Sequence, residues 1–227
     1  MQALMIEVPI ICIDGPSGAG KGTVAHMLAA ELGWHLLDSG SLYRVTAFAC
    51  LHDGVGLEDE NSVAEVARHL DVRFEQAPSG EVLVYYRDVD ASRAIRTEEG
   101  GRGASTVGAM PAVREALLQR QRDFAQAPGL VADGRDMGTV VFPDAVLKIY
   151  LTASPEVRAE RRYKQLIDKG IDVNLASLVE ELRLRDERDM NREVAPLKPA
   201  ADAIVVDTSK LDIQQVTHEV MLSLIHI

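Results

Sequence analysis

Between Ile13 and Val24 the chain reads Asp14-Gly15-Pro16-Ser17-Gly18-Ala19-Gly20-Lys21-Gly22-Thr23. Glycines at this spacing let a backbone turn so that its N–H groups converge on phosphate oxygens. A helix starting directly afterwards adds positive potential, and Lys21 can reach the outer phosphates. The apolar run Ile10 to Ile13 before the loop and the helical pattern from Val24 after it are the context this mechanism needs. The standard form of such a loop has Ser or Thr directly after the lysine; here Gly22 stands there and Thr23 follows. A magnesium ion bridging the phosphates is expected, with Thr23 holding it through water rather than directly.

Asp133-Gly134-Arg135-Asp136 follows the apolar run Leu130 to Ala132. Two carboxylates and a guanidinium are thus expected at the end of a strand, where open α/β sheets bind their ligands. Arg44, Arg135 and Arg192 each lie soon after an expected strand or in a charged helix. A transferring phosphoryl group spreads charge over its oxygens, and positioned guanidiniums with a metal stabilise that charge without a covalent intermediate. Each arginine taken alone could equally be a salt-bridged surface residue. Arg185 and Asp189 are four apart and share a helix face, so an intrahelical pair of small energetic value is one reading of them. Arg158, Arg161 and Arg162 form either a solvated charged face or an anion grip.

Composition bears on the same question. The 227 residues carry 18 Arg but only 6 Lys, against 35 Asp and Glu, for a formal net charge of -11. That balance excludes a protein whose main partner is a nucleic-acid backbone. The excess of Arg over Lys points to recognition of oxyanions, although a high-GC genome would produce the same bias. Two cysteines, Cys12 and Cys50, are too few for a disulfide framework or a zinc site, which suggests a reducing cytoplasm. No apolar stretch approaches the roughly 20 residues of a membrane span, and Met1 to Ile13 reads as a first strand rather than a leader.

The elements that must position these groups alternate. Val8 to Ile13, Trp34 to Leu37, Leu130 to Ala132, Val146 to Leu151 and Ala203 to Val206 read as five parallel strands buried on both faces. Val24 to Leu32, Ala112 to Ala127, Pro155 to Lys169 and Leu175 to Asn191 read as helices, giving an α/β sheet covered on both sides. From about Val63 to Arg102 the pattern breaks. A helical piece precedes strands at Val72 to Phe74 and Val82 to Tyr86, with a turn at Pro78-Ser79-Gly80, as in a small antiparallel insert. The expected organisation is a core of residues 1–62 and 103–227 with an insert at 63–102.

The Gly20-Lys21-Gly22-Thr23 form of the loop resembles the nucleoside monophosphate kinases, a group of P-loop proteins. The remaining motifs resemble the bacterial cytidylate kinases. These are Leu37-Asp-Ser-Gly-Ser-Leu-Tyr-Arg44, Ser105 with Val113-Arg-Glu-Ala-Leu117, Ala132-Asp-Gly-Arg-Asp-Met-Gly-Thr-Val-Val141, and Arg185-Asp-Glu-Arg-Asp-Met-Asn-Arg192 with Ala195-Pro196. The resemblance covers nearly the whole chain. It implies a five-stranded P-loop core with an α+β acceptor-binding insert and a short lid at about 155–170. It further implies phosphoryl transfer from ATP, with Mg2+, to CMP or dCMP by a monomer.

By resemblance, Gly15 to Thr23 hold the donor phosphates, Arg158 and Arg162 of the lid close over the triphosphate, and Asp133 binds magnesium through water. Ser39, Arg44, Arg135 and Arg192 hold the acceptor, and Lys21, Arg135, Arg192 and Asp133 are the catalytic set. Asp136 accepts a hydrogen bond from the exocyclic amine of cytosine, which uracil replaces by a carbonyl. Ser105 and Arg114 complete the base pocket, and Arg185 and Asp189 meet the ribose. An ion-pair role for Asp136 stays open.

Two alternatives accompany this reading. One is a kinase of another small acceptor, such as UMP, AMP or shikimate. The other is a nucleotide switch, for which Ser209-Lys210-Leu211-Asp212 lacks the leading Asn that guanine recognition needs. The ending Leu222-Ser-Leu-Ile-His-Ile227 matches the translation of a sequencing adaptor, so it is expected to be non-native. Otherwise Leu222, Leu224 and Ile225 would pack on the core as part of a final helix.

Overall fold

A computed structural model describes residues 8–77, 82–168 and 170–225. The expected turn at Pro78-Ser79-Gly80, the start of the first apolar run at residues 1–7, Lys169 and the last two residues lie outside this range. The chain divides into two packing units, Met1–Asp38 with Arg122–Ile227, and Ser39–Gln121.

The first unit is the α/β core. Strand β1 (Ile10–Asp14) leads through the glycine loop to helix α1 (Lys21–Leu32) and strand β2 (His35–Asp38). In the second unit come α2 (Ser39–His52), α3 (Glu60–Arg68), β3 (Val72–Gln76), β4 (Val82–Tyr86), β5 (Val89–Asp90), α4 (Glu98–Val107) and α5 (Pro111–Arg122, whose last residue returns to the core). The core resumes with β6 (Leu130–Gly134), β7 (Leu147–Thr152), α6 (Pro155–Asp168), α7 (Leu175–Asn191), β8 (Ile204–Asp207) and α8 (Ile213–Ile225).

The core sheet has five parallel strands in the order β2-β6-β1-β7-β8. Its register sets Asp14 beside Gly134 and Asp38 beside Asp133, which aligns the C-terminal ends of three strands. Central strands are buried on both faces, as their unbroken apolar runs require. The edge strand β8 departs from that expectation, because with no neighbour beyond it Ile204 and Val205 remain exposed. Ile11, Ile13, Val24, Leu28, Val131, Ile149, Val216 and Val220 form the core between sheet, α1 and α8. Helix α1 ends at Gly33, whose φ of 65° suits glycine and whose N–H closes on the Ala29 and Ala30 carbonyls. Among the described residues no helix is long and apolar enough to cross a membrane.

The second unit has its own core, in which Val45, Ala49, Cys50, Val63, Leu70, Val84, Ile95, Val113 and Leu117 meet. Strands β3, β4 and β5 form the antiparallel meander. The packing unit is wider than the insert expected at 63–102. Helix α2 lies so close to α4 that a Cβ at Gly103 would come within 2.9 Å of the Ala47 Cβ, and this contact draws residues on both sides into one core. Helix α2 itself is buried at Leu42, Tyr43, Val45, Thr46, Ala47, Ala49 and Cys50, so it lacks a one-sided apolar stripe and was not legible as a complete element.

Helix α5 stops at Arg122 rather than Ala127. Pro128 disfavours helical geometry at Ala127, and the Arg122 Nε donates to the Val141 carbonyl at 3.0 Å, holding the chain as it leaves the helix. At the other end of the core, α8 runs through Ile225, with Leu224 packed against the core and Leu222 exposed.

Candidate active site

The glycine loop owes its shape to three positive φ angles, 144° at Gly15, 79° at Gly18 and 92° at Gly20. A Cβ at Gly15 would lie 2.0 Å from the Leu151 carbonyl oxygen, so no other residue fits there. Gly20 is the N-cap of α1 and supplies no side-chain acceptor, leaving the first amides of the helix for an anion. The Lys21 side chain is buried. Its Nζ donates to the Pro16 carbonyl at 2.9 Å and lies 3.9 Å from Asp133 Oδ1. Burial, and then Arg135, lower the Lys21 pKa, with Asp133 opposing; Arg185 adds to the depression. Burial raises Asp133, which Lys21 partly offsets. The departure at Gly22 has a steric counterpart, since a Cβ there would sit 3.3 Å from Asp133 Oδ2. Glycine lets that carboxylate approach the loop, while Thr23 is exposed.

The end of β6 carries the next groups. Past Gly134 the chain enters one π turn, Met137–Val141, in which the Asp136 carbonyl accepts from Val140 and Val141 N–H. The two leading amides of that turn have no acceptor within it. Asp14, at the end of β1, receives both: Oδ1 accepts Met137 N–H and Oδ2 accepts Gly138 N–H, each at 2.8 Å. Asp136 is buried, with Arg192 Nη2 3.7 Å from its Oδ1, so the ion-pair alternative for this carboxylate is present in the geometry. Arg192 also donates through Nε to the Ala195 carbonyl. Asp189 pairs across to Arg135, whose Nε lies 3.1 Å from its Oδ2, rather than serving only its own helix. The core thus gathers Lys21, Asp133, Arg135, Asp136, Arg185, Asp189 and Arg192 around the ends of β1 and β6.

The three arginines of α6 part company. Arg158 is 2 % exposed and bonded on several sides. Its Nε donates to the Ala153 carbonyl at 2.9 Å, its Nη1 to the Ser17 carbonyl at 2.9 Å and to Asp186 Oδ1 at 3.1 Å, and its Nη2 to Asp186 Oδ2. It is therefore pinned against the glycine loop rather than part of a solvated charged face. Arg161 holds Thr208 through its hydroxyl at 3.0 Å and its carbonyl at 2.6 Å, and the Thr208 hydroxyl in turn reaches the Ala19 carbonyl at 3.3 Å. Arg162 stands at the surface beside Gln165.

The second unit holds the other expected acceptor residues. Ser39 Oγ donates to Gln121 Oε1 at 2.8 Å in a buried setting. Arg44 reaches the Ile95 carbonyl at 2.8 Å and the Thr97 carbonyl at 3.4 Å. Arg114 is buried, donates to the Gly108 carbonyl at 3.2 Å and lies over the Tyr43 ring, 5.6 Å from its centroid. Ser105 is buried on α4. Sequence reasoning missed Asp14, Asp186, Thr208 and Tyr43. Asp14 had a signal, being a carboxylate closing an apolar strand directly before the glycine loop. Asp186 and Tyr43 sat inside recognised motifs without a role.

Comparison with known proteins agrees with these motifs. The family model described as cytidylate kinase matches residues 11–226. The "Cytidylate kinase" of Pseudomonas putida (strain W619) is 60% identical over 215 residues, 94% of each chain. That of Shewanella loihica is 58% identical over 221 residues, 97% of this chain and 95% of the other. Solved structures match more loosely, among them a shikimate kinase from Bacteroides thetaiotaomicron at 13% identity and TM-score 0.46, covering 96% of this chain and 99% of that one. With a matching model over almost its full length and relatives at this identity, the chain belongs to the cytidylate kinase family.

Proposed function

We propose that this chain transfers the γ-phosphoryl group of ATP to CMP or dCMP, giving ADP and CDP or dCDP. The observation that carries the reading is the gathering, at the ends of β1 and β6, of a glycine loop with Lys21, Asp133, Arg135, Asp136, Asp189 and Arg192. An ionised monophosphate is already a nucleophile, so no general base is required, and catalysis reduces to alignment and stabilisation of charge. Lys21 and the loop amides hold the donor phosphates, and Arg135 and Arg192 meet charge developing on the transferred group.

Among the described residues no group of three or more His, Cys, Asp or Glu could hold a metal by itself. Magnesium keeps several waters and binds through one or two carboxylates and substrate phosphates. Asp133, close against the loop at Gly22, and Thr23 would hold it through water, and the ion would neutralise charge on the bridging phosphates.

For the acceptor, Asp136 reads the cytosine amine while Arg185 and Asp189 meet the ribose. Ser39 and Arg44 serve the monophosphate, and Ser105 and Arg114 serve the base. Arg158 and Arg162 are the lid residues proposed for the triphosphate, Arg158 from beneath the loop at the Ser17 carbonyl. A monomeric, cytoplasmic enzyme is part of the proposal; two buried free thiols, Cys12 and Cys50, support the reducing compartment only. A coupled assay across CMP, dCMP, UMP and AMP tests it. CMP or dCMP should give the highest kcat/KM, and AMP as the best acceptor would overturn the reading.

A further inference from the structure

We infer that Asp14 is a positioning residue for acceptor selectivity: by capping the two amides that follow Asp136, it holds the Asp136 carboxylate where the acceptor base is read. The inference rests on the base-reading role proposed for Asp136.

Asp14 is 4 % exposed and closes β1, one residue before the glycine loop. Its two oxygens are each committed to a different amide, Met137 N–H and Gly138 N–H, both at 2.8 Å. Those residues are more than a hundred positions away in sequence, and parallel pairing of β1 with β6, with Asp14 beside Gly134, brings them within reach. Two bonds to consecutive amides fix the direction of the peptide plane after Asp136 as well as its place. A single bond would leave that plane free to rotate.

Packing reinforces the same point. The Met137 side chain is fully buried against Gly134, where a Cβ would lie 2.7 Å from Met137 Cγ. Gly138 lies against the Lys148 side chain, 3.1 Å from where its own Cβ would be. The main chain following Asp136 is therefore bonded from β1 and packed against a β7 side chain, and Arg192 Nη2 lies 3.7 Å from the carboxylate that this backbone carries. Charge-assisted bonds to backbone amides are stronger than neutral ones. An amide in place of the carboxylate keeps the shape but sets its NH2 group against one of the two N–H donors.

The test compares Asp14→Asn with Asp136→Asn in the full-length protein, measuring KM and kcat for CMP, UMP and ATP. Asp14→Asn should lower the CMP-over-UMP ratio of kcat/KM at least fivefold, mainly through KM for CMP, with KM for ATP changing less than twofold. An unchanged ratio, while Asp136→Asn collapses it, overturns the positioning role alone. An unchanged ratio in both variants overturns the base-reading role of Asp136 and this inference with it. Equal rises in KM for CMP and ATP would mark Asp14 as support for the loop and also count against the inference. Should Asp14→Asn fail to fold, amide hydrogen exchange in the wild-type protein decides: Met137 and Gly138 should exchange at least a hundredfold more slowly than unstructured amides, and rates near the unstructured limit overturn it.

Discussion

Replacing Arg158 by methionine keeps most of the apolar stem and removes the guanidinium. Three carbonyl or carboxylate partners then lose their donor, namely Ala153, Ser17 and Asp186. The pair is buried on both sides, with side-chain exposures of 2 % for Arg158 and 11 % for Asp186. Leaving a buried charge uncompensated costs about 3–5 kcal/mol. In a protein of this length each kcal/mol shifts Tm by about 2–4 °C, so the expected loss is on the order of 6–20 °C by thermal circular dichroism. Changing Asp186 to leucine as well should recover much of this loss, because the stranded carboxylate is gone and apolar isosteres often replace a buried pair without cost. The cycle of two single variants and the double should show a coupling energy above about 1.5 kcal/mol. A single variant within about 1 kcal/mol of wild type, or additive effects in the cycle, would refute the view of Arg158 as a buried pin.

Lys21→Met should reduce kcat by roughly a hundredfold or more, the scale expected for losing a donor aimed at developing charge, with a far smaller loss of stability; turnover near wild type in the coupled assay would refute its role. Burial, against two opposing backbone bonds, lifts the Asp14 carboxyl from 3.8 to about 6. Because the folded pKa lies above the unfolded one, the stabilisation from its proton is fully present below 3.8 and is lost as pH rises through about 6, a change of about 3 kcal/mol. Urea titrations between pH 3.5 and 7 should therefore show the wild type falling relative to Asp14→Asn by an amount of that order, and parallel profiles would contradict it. Gly15→Ala should cost at least 1–3 kcal/mol in urea unfolding, since its Cβ would sit 2.0 Å from the Leu151 oxygen; a neutral change would mean the loop backbone yields there.

Much of the core was legible because its elements are simple in pattern. Strands buried on both faces need unbroken apolar runs, and those runs marked four of the five strands to within one residue at their starts and β1, which begins at Ile10 rather than Val8, to within two. Helix α7 ran over the expected Leu175–Asn191, where Leu178, Val179 and Leu182 pack with Ala159 and Leu166 of α6 and Asn174 caps its start by accepting Ser177 N–H. Helix α2 was harder to read because burial on several sides erases the stripe, and α5 was overextended because the pattern past Arg122 still looks helical. The reach of the second unit, from Ser39 to Gln121, depends on the close approach of Ala47 to Gly103, which no local pattern announces.

Residue types and local order were sufficient to mark the glycine loop, the Asp133–Asp136 cluster and the arginines, because phosphate binding demands a short contiguous segment with particular backbone freedom. Pairing was another matter. That Arg158 turns inward to Asp186 and Ser17, that Asp189 meets Arg135, and that Asp14 holds the amides of Met137 and Gly138 are results of strand register and helix packing. A side chain's type limits what it can bond. Which partner it finds is decided by elements far apart in sequence meeting in space, where burial makes every unsatisfied charge or amide costly.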